Sequence, residues 1–118
     1  MLKDDVCVYS SKAQGGYTIK ASGSGADSGF TLANGTDVLP YSVTWNAGGV
    51  GNLADSGTQL VANETSAKMT GASRDSSSCN GANPGPTARV IVSMLETDMD
   101  AAVDGTYDGT LTLLVTPN

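Results

Sequence analysis

There is no histidine in this chain. That removes the side chain best suited to proton transfer near neutral pH, and with it Ser-His-Asp and Cys-His nucleophiles. It also removes the imidazole ligands of a catalytic zinc site. Basic residues are scarce as well: six Lys and Arg face twelve Asp and Glu, a net charge of −6. Phosphate binding needs clustered cations, so no nucleic-acid partner is expected. Charged residues make up 15% and aromatics 5%, so Ser, Thr, Asn and Gly must cover most of the surface. No long apolar run occurs, so no membrane insertion is expected. Met1-Leu2-Lys3-Asp4-Asp5 lacks the apolar core of an export signal. An exported chain of this sequence would have lost its signal already or would be a piece of a longer one.

What is present points to strands. The 118 residues suffice for one domain, taken as residues 1–118, with a modest core. Fifteen glycines and abundant Thr and Val disfavour helix and suit short strands joined by turns. Val6-Cys-Val-Tyr9 is a short β-type run, and Tyr17, Ile19 and Ala21 alternate with Thr18, Lys20 and Ser22 as in a half-buried strand. Phe30 to Ala33 is a brief strand before the Asn34-Gly35 turn signal. One strand is expected over Val38 to Ala47, with Tyr41, Val43 and Trp45 on one face and Pro40 marking a bulge or an edge. Gln59 to Ala62 and Ser66 to Thr70 are weaker candidates, and residues 74–86 form a long Ser-, Asn-, Gly- and Pro-rich loop. The run Ala88 to Leu95 is the most continuously apolar and suits a central strand. Asp98 to Val103 suits a helical turn. In the closing strand Leu111, Leu113 and Val115 alternate with Thr110, Thr112 and Thr116, and Leu114 adds an apolar residue on the other side. Turn signals every 8–12 residues or so between such segments predict an all-β, Ig-like sandwich.

Cys7 and Cys79 lie far apart, outside any Cys-x-x-Cys motif. The expectation is one disulfide joining the N-terminal strand to a distant loop; two unrelated thiols are the other reading. A bridge closing so long a loop stabilises by about 4 kcal/mol in the chain-entropy model. It also implies an oxidising compartment such as the periplasm or cell surface.

Three segments together, Val6-Cys-Val-Tyr-Ser10, Leu39-Pro-Tyr-Ser-Val-Thr-Trp45 and Ala101-Ala-Val-Asp-Gly-Thr-Tyr-Asp-Gly-Thr-Leu-Thr-Leu113, resemble the spore coat protein U-like family. Its members are pilin subunits of the archaic chaperone–usher pathway and relatives among alternative chaperone–usher fimbriae. The resemblance implies an incomplete Ig-like sandwich, completed by a strand donated first by a periplasmic chaperone and then by a neighbouring subunit. It implies transit through the periplasm and residence at the cell surface, with a role in adhesion or biofilm. The strand-exchange groove would lie along Leu111, Leu113 and Val115. Family subunits also carry an N-terminal donor extension of alternating apolar residues. Here the residues before Val6 are polar and charged, which leaves a truncated subunit, a tip domain or a non-polymerising relative open.

Other chemistries are weaker. Glu96, Asp98, Asp100, Asp104 and Asp108 invite a calcium reading but lack the EF-hand order, and two of them precede glycines at turns. No metal, cofactor or enzymatic activity is expected. Tyr41 and Trp45 could form a sugar-stacking platform, the basis of an alternative reading as a self-contained carbohydrate-binding or tip adhesin domain with a host or surface glycan as partner. The simpler role for a lone Trp in a small sandwich is a core anchor.

Overall fold

The computed structural model describes residues 2–74, 79 and 85–118. Among these residues, eight strands form antiparallel pairings. They are β1 (Leu2–Val6), β2 (Tyr17–Gly23), β3 (Thr31–Asn34), β4 (Asp37–Pro40), β5 (Ser42–Asn46), β6 (Thr58–Gln59), β7 (Ala88–Ser93) and β8 (Leu111–Pro117). A single short α-helix, α1 (Glu96–Ala101), precedes the last strand among the described residues. The largest sheet has the order β1-β7-β5-β6; β2 pairs with β8 and β3 with β4. The architecture is an all-β sandwich.

The core forms where the alternating faces meet. Tyr17, Ile19 and Ala21 of β2, Val43 and Trp45 of β5, and Ala88 and Val90 of β7 are buried together, with Val8, Leu60 and Ala72 closing the ends. Trp45 is 1% exposed, and its indole Nε1 donates a 2.9 Å hydrogen bond to the Tyr17 hydroxyl. The two rings meet edge to face with centroids 6.4 Å apart. A buried indole needs such a partner, because an unpaired N–H loses its bond to water without replacement.

The structure corrects the sequence reading in three places. The strand expected over Val38 to Ala47 is two strands, because the chain changes sheets at Pro40-Tyr41. β4 pairs with β3, whereas β5 pairs with β7 and β6. The β3–β4 pairing runs one step past Pro40, where the Tyr41 N–H donates to the Phe30 carbonyl at 2.9 Å. The candidates at 59–62 and 66–70 shrink to β6 and isolated bridges, Lys20 to Thr65 and Tyr17 to Met69. The polar residues before Cys7 form β1, seated on β7 from Leu2↔Val92 to Val6↔Ala88. Charge holds this strand where apolar alternation is lacking: Arg89 pairs with Asp5 at 2.6 Å and Asp55 at 2.7 Å, and Lys3 reaches Asp55 at 3.1 Å.

Cys7 and Cys79 are joined by a disulfide across a sequence separation of 72. Most of the loop expected over 74–86 lies outside the described residues. Gly15 marks a tight crossing: it has a φ of +63°, and a Cβ there would strike the Ala72 carbonyl.

Candidate functional site

Among the described residues the last strand is paired on one side only, and its register shows which of its backbone groups find no partner there. Asn118 donates its N–H to the Gly16 carbonyl at 3.0 Å. Under the β2–β8 register, Thr18↔Thr116, Lys20↔Leu114 and Ser22↔Thr112 are then the hydrogen-bonded pairs. The intervening β2 residues turn their backbone the other way. Tyr17 and Met69 exchange bonds, Ile19 accepts from Ser66, and Ala21 accepts from Asn63. By the same alternation, Leu111, Leu113 and Val115 direct their N–H and C=O groups away from β2. No described residue pairs with these groups.

The side chains of the same three residues are half-buried against the core cluster. Thr112, Leu114 and Thr116 are exposed, Leu114 at 58%. Leu111, Leu113 and Val115 therefore combine inward apolar side chains with an outward row of unpaired backbone.

Opposite this edge runs the segment from Val6 to Tyr9. Val6 accepts from the Thr87 N–H, the Val8 N–H reaches Thr87 Oγ1 at 2.8 Å, and Ser73 bonds Val8 and Ser10. Between the two walls lies a cavity of about 330 Å³, lined by Val6, Val8 and Tyr9 with Cys7 on one side and by Leu113, Val115 and Pro117 on the other. Trp45 forms part of the lining and carries no exposed ring face. The arrangement is an apolar trough bordered by an open strand edge. Such an edge is a template for an incoming strand, since every second residue offers a donor and an acceptor.

The structure brings Leu113 and Val115 to one groove wall, leaves Leu111 on the same strand outside the lining, and joins Cys7, on the facing wall, to Cys79. It separates the two aromatics. Trp45 is a core residue, whereas Tyr41 sits half-buried at the β4–β5 corner, stacked on Phe30 with ring centroids 5.5 Å apart. Burial raises the Tyr41 phenol above its ordinary pKa; burial does the same for Tyr17, partly offset by its hydrogen bond from Trp45. The Val6–Tyr9 wall was missed as part of the site. Its signal was the Val6, Val8 alternation, which is too short to show what it faces. No protein-family model, curated protein or solved structure matches this chain.

Proposed function

We propose that the domain is a structural subunit of a bacterial surface fimbria, assembled by β-strand complementation. The observation that carries this is the unpaired β8 edge beside the apolar trough. An extended segment with alternating apolar side chains can pair its backbone with Leu111, Leu113 and Val115 and place those side chains between Val115 and Val8. In this reading the occupant is a periplasmic chaperone during transit and a neighbouring subunit in the fibre. The resemblance of the Val6–Ser10, Leu39–Trp45 and Ala101–Leu113 segments to the spore coat protein U-like family supports the same reading. So does the disulfide, which places the chain outside the reducing cytoplasm. Contribution to adhesion or biofilm follows from membership of a surface fibre.

The test is to add extended peptides of alternating apolar pattern to the oxidised chain and follow size, melting and backbone amides. A bound strand at about one hundred times its Kd adds about 2.7 kcal/mol, a rise of about 10 °C in Tm for a domain of this size. The amides of Leu111, Leu113 and Val115 should gain protection, and Leu113→Lys should abolish the response. A stable monomer whose β8 amides ignore every such peptide would reject strand complementation.

A further inference from the structure

A second cavity, of about 300 Å³, shares no lining residue with the groove. It gathers Tyr41 from the β4–β5 corner, Ser42 from β5, Gln59 from β6, Ser93 from the end of β7, and Leu95 and Asp98 at the start of the α1 region. Several separate elements thus converge on it, and their polar groups are unspent. The Tyr41 hydroxyl, the Gln59 amide and the Asp98 carboxylate make no side-chain hydrogen bond or ion pair with any described residue. Ser42 Oγ donates to the Ser93 carbonyl at 3.3 Å and keeps its own lone pairs for an incoming donor. The Tyr41 ring is held in place by its stack on Phe30, and Leu95, 68% exposed, adds an apolar surface.

We propose that this cavity binds one neutral pyranose residue of a polysaccharide. A carboxylate accepts from two neighbouring hydroxyls, an amide both donates and accepts, and an aromatic edge with a leucine covers the C–H face of a sugar ring. The volume sits at the lower end of small-ligand pockets, about 300 to 1,000 Å³, which suits a single ring. Charge sets the class. No Lys or Arg lines the cavity, Asp98 does, and the chain carries a net −6, so uronic acids, sialic acids and phosphates are repelled. The site is independent of strand complementation, because its residues lie outside the groove.

The experiment is a titration of the isotope-labelled full chain with glucose, galactose, mannose and N-acetylglucosamine, with glucuronate for comparison, read by amide chemical shifts. At least one neutral sugar should give saturable shifts at Tyr41, Ser42, Gln59, Ser93 and Asp98, with a Kd near 1 mM or about −4 kcal/mol. Glucuronate should bind at least about tenfold more weakly. Asp98→Asn and Gln59→Ala should each weaken binding about tenfold, the range for losing a hydrogen bond to a charged or well-placed polar group. Neither side chain is bonded to another described residue, so the spectra of both variants should remain those of the folded chain. The amides of Leu111, Leu113 and Val115 should not respond to sugar, which keeps this result separate from the peptide experiment. Absence of saturation by every neutral sugar, equal binding of glucuronate, or unchanged binding by both variants would each overturn the assignment.

Discussion

Tyr17 and Trp45 show how one pair of side chains fixes the relation between two sheets. Each ring is almost wholly buried, and each satisfies the other's polar atom: the indole N–H donates and the phenol oxygen accepts at 2.9 Å. The bond locks a β5 residue to a β2 residue, so one sheet cannot slide on the other without leaving a buried donor unpaired. Trp45→Phe should destabilise by about 1–3 kcal/mol, combining lost volume with an orphaned Tyr17 hydroxyl. Tyr17→Phe should cost less in volume but orphan the indole N–H. The double variant should fall short of the sum by about 1 kcal/mol, the coupling expected of residues that share one bond. Denaturant unfolding of the set measures that coupling, and strict additivity would show that the bond contributes nothing.

At the scale of the element, β1 and β8 are opposite solutions to the same problem. Among the described residues each is paired on one side only. β1 protects its edge with charge: Lys3, Asp4 and Asp5 are exposed, and an inserted strand would have to cover them. β8 presents alternating apolar residues and carries no such charge. The charges that hold β1 give it a defined acid response. The hydrogen bond from Arg89 holds the Asp5 carboxyl below its ordinary range, and hydrogen bonds from Lys3 and then Arg89 do the same for Asp55. The same contacts raise the pKa of Arg89, with Asp5 the main cause. Because the folded carboxyls titrate below the unfolded value of about 3.9, their contribution is complete above that pH. It is lost as pH falls through the folded values. Both carboxylates face solvent, so the effect is modest and weakens with salt. Stability curves of the native chain and of Arg89→Gln should run apart at neutral pH and converge below about pH 4. A gap that stays constant down to about pH 2 would mean that the ion pairs do not hold β1.

For the whole molecule, the disulfide is a global restraint attached to a local wall. It closes a 72-residue separation, and one of its ends, Cys7, lines the apolar groove. Removing it with Cys7→Ala and Cys79→Ala should cost about 4 kcal/mol, mostly through a freer unfolded chain. In a small domain of about 5–15 kcal/mol total stability, that is enough to bring unfolding within reach of mild heating. Thermal unfolding of the oxidised and double-variant chains checks it. The loss should be partly recovered by a peptide seated in the groove, since binding to the folded state alone adds stability by mass action.

The sequence alone determined the strand faces and the fold class. Period-two alternation is a local property, and Tyr17, Ile19 and Ala21 or Val43 and Trp45 must bury one face whatever strand lies beside them. It also singled out the run from Leu111 to Val115, of which Leu113 and Val115 line the candidate groove. Local pattern could not reveal β1, where Lys3, Asp4 and Asp5 become a strand through a register and ion pairs with residues as distant as Arg89. Nor could it reveal the break at Pro40-Tyr41, because both halves keep the same alternation while pairing with different neighbours. The separation of Trp45 from Tyr41 follows from that break: one ring fills the space between the sheets and the other lines a cavity at the corner. The free edge of β8 belongs to the tertiary structure entirely, since an unpaired N–H is defined by which strands the chain brings alongside it and which it leaves away.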